Sequence, residues 1–491
     1  MRTIELINLS VSTNPQPVTP SGIMARIENN LNPDDFRPRI AFLTLGCKVN
    51  SSETEGLAEN FQRAGFALVE PDGIYTPDVV VINTCTVTHI ADRKSRQTLR
   101  RTKRENPQAL VIATGCYVYT NPEQVKALAE VDLVLDKVEQ EHMVELVAKR
   151  LNYELEFRPE PSHPLFEEDE IGNTTDKVKV EKKYHTRAMV KIQDGCNAGC
   201  AFCIVPTARG VPRSIDIPEV MESVRRKLEA GYREVVLTGV HLGKYRAFNI
   251  ENEERPLRLK ALLETILENL DIPRLRITSL EPQDYDPTLL ELWQRDTRLA
   301  RHFHLALQSG SAATLTRMRR GYTLEKYRQI VEQIHRELPD ASITTDIIVG
   351  FPGETEQEFS ETLAFAAEMG FAKIHVFPYS PRSGTLAAGM PDQVADADKK
   401  QRGERLRLLS DELSQKWRSR FLGEIREVLW EAKDPNSLMR SGLTGNYLRV
   451  FIQSEENLRN HLTTVRLLKL AGNGDADGMF GEIVRECNEY E

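Results

Sequence analysis

Short apolar runs of strand length recur along this chain, separated by polar stretches in which hydrophobic residues return at helical spacing. From Arg39 the runs are "IAFLTLG", "DVVVINT", "ALVIATG" and "VDLVLD", with helical patterns after Ser51, through a basic stretch near residue 100, and after Asn121. This alternation predicts a small parallel sheet with its helices over residues 38–150. A second series follows, with strand candidates "RAMVKIQ", "REVVLTG", "RLRITSL", "HFHLALQ", "SITTDIIVG" and "KIHVFPYS", and helices such as Pro218 to Ala230 and Leu324 to Glu337. Six such units predict a closed or partly closed α/β barrel over residues 185–419. Beyond a charged helix ending near Arg420, short strands "IREVLWE", "YLRVFIQ" and "TTVRLLKL" are broken by the turn signals "TGN" and "GNGDADG". They predict a small all-β barrel over residues 420–491.

Two stretches break the pattern. Residues 1–37 are rich in Pro, Asn and Ser and read as a loosely ordered extension; residues 151–184, with Pro and mixed charge blocks, read as a linker. No repeat of fixed period is present.

The length, 491 residues, exceeds what one hydrophobic core serves, so an α/β protein of several domains is expected. No apolar run approaches the roughly 20 residues that cross a bilayer, and no charged-then-apolar leader precedes the runs, so a cytoplasmic chain without a membrane partner is expected. Seven cysteines are few for a disulfide scaffold, and the odd count favours a reducing compartment in which thiolates serve a metal. A formal charge of -9 argues against a surface coated in basic residues. The segment "RKSRQTLRRTKR" stands out against it: Arg93, Lys94, Arg96, Arg100, Arg101, Lys103 and Arg104 occur without an acid, as a phosphate-binding helix or a solvated helix face.

The chemistry concentrates in "DGCNAGCAFC", where Cys196, Cys200 and Cys203 have the spacing C-x3-C-x2-C. Zinc knuckles pair C-x2-C with a second pair of ligands, and none lies nearby. A cubane iron-sulfur cluster held by three thiolates leaves one iron open, so a working cluster is favoured over structural zinc or three unligated thiols. The loop follows the first strand of the second series, which puts it at the barrel mouth. Cys47, Cys85 and Cys116 each lie just beyond a different strand of the first series, and parallel strands share one carboxyl edge, so a second three-thiolate set is expected there. The bland alternative is three buried cysteines; Cys487 shows no partner and reads as incidental.

C-x3-C-x2-C with Phe202 before its last cysteine resembles the radical S-adenosylmethionine (SAM) enzymes, in which the open iron is chelated by SAM. With a flavodoxin-like front domain, a second three-Cys set and a terminal β module, the chain resembles the methylthiotransferases from about residue 38 to its end. The resemblance implies two 4Fe-4S clusters, SAM cleaved at the barrel cluster, sulfur inserted with the auxiliary cluster, and a TRAM-like module that helps to hold RNA. "TLGCKVN", "INTCTVT", "ADRKSRQ" and "GCYVYTNPE" resemble the branch acting on N6-threonylcarbamoyladenosine at tRNA position 37, in the anticodon loop. The branches modifying isopentenyladenosine or a ribosomal-protein Asp usually carry Gln-Met-Asn or Pro-Lys-Asn where this chain has Lys48-Val49-Asn50.

The resemblance also implies SAM contacts at strand ends: Thr238 and Gly239 in "LTGVH", Ser279 and Glu281 in "TSLEP", Gln308 and Ser309 in "HLALQSGS", Asp346 and Gly350 in "TTDIIVGFPGE". The chain departs from the family at Tyr245-Arg246, where Tyr-Gly is common, and at Ala306, where Pro is frequent. The expected activity is methylthiolation of C2 of the tRNA base, with SAM as radical source and methyl donor and an electron donor still to be identified. The alternatives are another methylthiotransferase substrate, or an iron-sulfur protein that binds RNA or senses redox state without turning SAM over.

Overall fold

The computed structural model describes residues 37–71, 75–155, 186–248, 256–431, 438–472 and 477–484. The expected extension up to residue 36, nearly all of the expected linker and Cys487 lie outside these residues. The described backbone packs as two compact units, one within residues 37–45, 56–85 and 93–155, the other within residues 46–55, 86–92 and 186–484. Among the described residues no helix is long and apolar enough to cross a membrane.

The first unit holds a parallel sheet of β1 (Arg39–Thr44), β2 (Ala67–Leu68), β3 (Val79–Thr84), β4 (Leu110–Gly115) and β5 (Leu133–Val134). Its order, β2-β1-β3-β4-β5, is the flavodoxin-like doubly wound arrangement, which reverses direction between β1 and β3 and opens a crevice at their carboxyl ends. The run "VVVI" in β3 is apolar at every position because both faces are covered. Val79 and Val81 pack with Phe61, Phe66 and Met143, while Val80 and Ile82 pack with Leu99, Val118 and Val125.

In the second unit β6 (Ala188–Asp194), β8 (Glu234–Gly239) and β9 (Arg274–Ile277) pair in parallel, with the short β7 (Arg213–Ser214) antiparallel on β6. β10 (Ser279–Leu280), β11 (His302–Leu305), β12 (Ser342–Val349) and β13 (Lys373–Pro378) form a second parallel run. Thr278 interrupts the arc between β9 and β10, so the sequence's single strand "RLRITSL" is two, and the α/β barrel is only partly closed.

Strand alternation decides what lines this barrel. Val235, Leu237, Leu275, Ile277, Phe303, Leu305, Ile343 and Ile347 share one core with Val220 and Val224 of the helix Ile217–Glu229 and with Tyr327, Ile330 and Ile334 of the helix Leu324–Glu337. The alternate residues Glu234, Val236, Thr238, Arg274, Arg276, His302, His304, Thr344, Asp346 and Ile348 therefore face inward, and the interior is mostly polar.

Charge closes the amino-terminal end of that interior. Glu234 and Arg276 are both fully buried, with Arg276 donating to the carboxylate at 2.6 Å and Arg274 at 3.3 Å. Burial works against the carboxylate, but Arg276 and Arg274 outweigh it and hold its pKa down at about 2. The two guanidinium groups also donate to the carbonyls of Leu443, Thr444 and Gly445. Leu443 and Thr444 end β15 (Met439–Thr444) and Gly445 opens the turn to β16 (Arg449–Gln453), part of a closed barrel with β14 (Ile425–Trp430), β17 (Leu462–Leu470) and β18 (Met479–Ile483). Val428, Trp430, Val450, Val465 and Leu467 fill it. In the same turn Tyr447 adopts φ of 67°, costly for a residue with a side chain, and stacks on His302 with ring centroids 4.4 Å apart.

Glu234→Gln is expected to cost about 3–5 kcal/mol, because it leaves the buried Arg276 without its counter-charge and Arg274 with Glu427 alone. Since the folded pKa is lowered from 4.5 to about 2, this contribution is present above about pH 4.5 and lost as pH falls toward 2. Urea unfolding across that range checks both statements; a variant as stable as the parent at neutral pH contradicts them.

Candidate metal centre

β6 delivers the chain to the three-cysteine loop at the carboxyl end of the barrel. The Gln193 amide donates to the carbonyls of Asp194 and Gly195 at 2.9 and 2.8 Å, and the Gly195 N–H donates to the Asp194 carboxylate at 2.8 Å. Gly195 has φ of 73°, and a Cβ there would lie 2.1 Å from the Val211 carbonyl oxygen, so only glycine fits before Cys196. The Cys196 N–H donates to the Gly210 carbonyl, the Ala201 N–H to that of Met318, and the Ala387 N–H to that of Ala201. The loop is thus held by three separate segments of the barrel.

Cys196, Cys200 and Cys203 are free thiols in partial shelter. Burial pushes Cys203 up to about 12, and the same cause raises Cys196. Alone, Cys196 and Cys203 would stay protonated at neutral pH; a bound cation is what would make neighbouring thiolates stable. The surroundings suit thiolates, since the Ala198 N–H donates to Cys196 Sγ at 3.4 Å and Arg320 donates to Cys200 Sγ at 3.2 Å. Arg320 also pairs with Glu281. His241 Nδ1 lies 3.4 Å from Cys196 Sγ, and its Nε2 lies 2.8 Å from Asp284, which in turn meets Lys244 at 3.3 Å. Charged groups of both signs therefore surround the sulfur atoms, a fit to an iron-sulfur cluster with one open iron.

In the first unit, Cys85 and Cys116 directly follow β3 and β4, whose last residues Thr84 and Gly115 are in register. Both cysteines are buried. Gly115, with φ of 92°, brings the chain so close to Asn83 and Thr84 that a Cβ would meet the Asn83 Oδ1 at 2.2 Å. Ser95 fixes Cys85 by accepting from its N–H at 3.3 Å and donating to its carbonyl at 2.9 Å. Cys47 follows β1 by three residues, belongs to the second unit and is exposed, with Sγ 3.8 Å from Asn50 Oδ1. Asn50 accepts from Arg209 at 2.6 Å, and Arg209 also pairs with Glu53 at 2.9 Å and Asp194 at 3.0 Å. Burial opposes charge on Glu53, yet Arg209 and Lys191 hold its carboxyl below the usual value. Through this network the segment after Cys47 is tied to the residue two before Cys196.

The expected SAM contacts fall on the inside or the rim of the barrel to different degrees. Thr238 and Ser279 face inward beside core residues Leu237 and Leu280, and Gly239 ends β8. Glu281 is engaged by Arg320. Gln308, with φ of 67°, is bridged through its backbone to β12, while Ser309 is buried with its hydroxyl 3.2 Å from that of Thr362 on the helix Glu356–Met369. Gly350 donates to Glu354 at 2.6 Å, and Phe202 packs edge-on against Phe351. Asp346 meets His304 at 3.3 Å, and with His375 they bring three ligand-type atoms within 4.8 Å of one another. At the departures from the family pattern, Tyr245 is buried and donates to the Ile215 carbonyl at 2.7 Å, and Arg246 donates to backbone carbonyls of Gly243 and Tyr245.

The basic stretch forms the helix His89–Glu105, with Asp92, Ser95, Leu99 and Thr102 buried along one stripe. Arg93, Lys94, Arg100, Arg101 and Arg104 are exposed. Lys103 instead pairs with Asp132 at 2.7 Å, Arg96 donates to the Tyr117 hydroxyl at 2.9 Å, and Arg100 and Arg101 lie near Glu130 and Glu105. Sequence reasoning did not single out Arg320, His241, Arg209 or Ser95. Each is an ordinary polar residue of a helix or loop, and only the His of "LTGVH" carried a local signal, its place in a strand-end motif.

A model of the radical SAM superfamily matches residues 190–366, and a model of an uncharacterized protein family, UPF0004, matches residues 39–136. The threonylcarbamoyladenosine tRNA methylthiotransferase MtaB of Bacillus subtilis (strain 168) is 38% identical over 465 residues, 91% of this chain and 97% of its own. The protein of that name from Aquifex aeolicus (strain VF5) is also 38% identical, over 78% of this chain and 89% of its own. A tRNA-2-methylthio-N(6)-dimethylallyladenosine synthase of Methylacidiphilum infernorum (isolate V4) is 30% identical over 89% of this chain and 93% of its own. Among solved structures, the radical S-adenosylmethionine methyltransferase TsrM of Kitasatospora setae aligns with a TM-score of 0.51 at 14% identity, over 72% of this chain and 77% of that one, a likeness of fold.

Gly195→Ala should bind less iron than the parent after anaerobic reconstitution with ferrous iron and sulfide. Iron and sulfide analysis with the visible absorbance of the cluster is the check; an unchanged stoichiometry contradicts the role given to this turn.

Proposed function

Because the chain belongs to the methylthiotransferase family of radical SAM enzymes, we propose that it converts N6-threonylcarbamoyladenosine at position 37 of tRNA to its 2-methylthio derivative. The observation that carries the reading is a three-thiol loop at the mouth of a polar barrel, in a chain similar over 91% of its length to a threonylcarbamoyladenosine tRNA methylthiotransferase. On this reading the protein works in the cytoplasm, where an electron donor and tRNA are at hand.

Reductive cleavage of SAM is the chemistry that a 4Fe-4S cluster supplies when bound at such a loop. Cys196, Cys200 and Cys203 would hold three irons and leave the fourth to SAM. Arg320, with its N–H toward Cys200 Sγ, offsets negative charge on the cluster, and Glu281 keeps that guanidinium in place. Thr238, Ser279 and Asp346 offer polar contacts on the inner face, while Gly239, Gln308, Ser309, Gly350 and Phe202 shape the rim for the cofactor. Cys47, Cys85 and Cys116 would hold the auxiliary 4Fe-4S cluster for sulfur insertion; their support is that each follows a different parallel strand of one sheet. The target base lies in an anticodon loop, where unstacked bases are open to a protein without melting a duplex. The helix bearing Arg93, Lys94 and Arg104 would meet the RNA backbone, which positions the substrate without reading its sequence.

Nucleosides from cells with and without the gene, analysed by mass spectrometry, test the function: the 2-methylthio form of N6-threonylcarbamoyladenosine should vanish on deletion. Loss of the dimethylallyl analogue instead would select the substrate of the more distant relatives. Replacing Cys196, Cys200 and Cys203 by Ala should abolish formation of 5'-deoxyadenosine from SAM, and replacing Cys47, Cys85 and Cys116 should remove about half of the bound iron together with the methylthiolated product. Charge reversal at Arg93, Lys94 and Arg104 should weaken tRNA binding and flatten its dependence on salt, by about one unit of log–log slope for each phosphate no longer neutralised; an unchanged slope removes the helix from the RNA interface.

A further inference from the structure

Within the barrel interior, ion pairing is nearly complete. Arg276 has Glu234 at 2.6 Å, Arg274 has Glu427 at 2.9 Å, and Arg187 has Glu431 at 3.1 Å. Lys48 differs. Its ammonium reaches the Tyr447 ring, 5.7 Å from the centroid, and no carboxylate among the described residues forms an ion pair with it. The guanidinium groups of Arg276 and Arg187 lie over the same ring at 4.9 and 5.6 Å, so Lys48 is a largely sheltered cation beside two like charges, and the carboxylate that acts on it from a distance, Glu234, is already engaged by Arg276 and Arg274. The ring's other close neighbour is His302, on the inward face of β11. Cation–π attraction offsets part of the cost of that position, but a sheltered ammonium beside two guanidinium groups is most stable with an anion.

Resting on the function proposed above, we infer that Lys48 is the specificity residue that binds the carboxylate of the substrate's threonyl group. The position suits it in two ways. Lys48 directly follows Cys47, a proposed ligand of the cluster that serves sulfur insertion. In the base, C2 and the carbon bearing N6 flank the same ring nitrogen, so a protein that presents sulfur to C2 has the N6 substituent on the same edge. That substituent ends in a carboxylate in threonylcarbamoyladenosine and in hydrocarbon in the dimethylallyl base. An ammonium at this place attracts the first and leaves the second with an unmatched cation to desolvate.

The test uses the reconstituted full-length enzyme and an anticodon stem-loop carrying either N6-threonylcarbamoyladenosine or its methyl ester, which lacks the charge. The parent should prefer the acid over the ester by about 10- to 100-fold in kcat/KM, the range of one charge-assisted hydrogen bond. Lys48→Gln should abolish most of that preference, and Lys48→Arg should restore it in part; the ratio within each variant cancels any loss of active protein. A parent indifferent to the ester, or a Lys48→Gln enzyme that keeps the parent's preference, overturns the inference while leaving the function standing. No 2-methylthio product from the parent with the acid substrate overturns the function, and the inference falls with it.

Discussion

A carboxylate without solvent access, placed between arginines inside an α/β barrel, is the constraint on which the second unit depends. Glu234 cannot remain charged there unless Arg276 and Arg274 stay within reach. Those arginines also engage backbone carbonyls at the end of β15 and the start of the turn that follows, so one set of hydrogen bonds closes the barrel floor and seats the terminal β-barrel. Closing the floor with charge rather than apolar layers leaves the interior mostly polar. Such walls suit polar ligands, which enter at low cost only where hydrogen-bonding partners await them.

The barrel mouth shows the complementary logic. A loop held at Gly195, Ala201 and Cys196 places Cys196 and Cys203 where burial resists their ionisation, so the fold by itself does not favour thiolates there. A bound metal would offset that cost, and Arg320 and the Ala198 N–H would then have a negative sulfur to meet. The Asn50–Arg209–Asp194 network extends this order to the segment after Cys47, which makes the residues following that cysteine part of the barrel's architecture rather than a free loop.

Much of this was legible in the chain. The apolar run of β3 announced a strand buried on both faces, and "DGCNAGCAFC" announced a ligand loop because three thiols so close together have few other uses. The helix Leu324–Glu337 matched its expected bounds because its amphipathic period is unbroken. Other elements were hidden for stated reasons. β15 and β18, "MRSGLT" and "MFGEI", hold too few apolar residues for alternation to show, and they form because barrel closure supplies partners on both sides. The break at Thr278 leaves no mark in "RLRITSL", since a strand pattern does not record where its neighbour changes.

The sequence by itself determined the local chemistry: which residues are thiols, which runs are buried, where strands end, and hence that the cysteines fall at carboxyl edges. These follow from periodicity and side-chain type, which act over a few residues. Only the tertiary structure decided which charges find partners. Lys103 meets Asp132, Arg320 meets Cys200 and Glu281, and Arg209 spans from Asn50 to Asp194, whereas Lys48 is left in the barrel facing an aromatic ring. A charge's effect depends on distance and on the water around it, and both are set by residues far away along the chain.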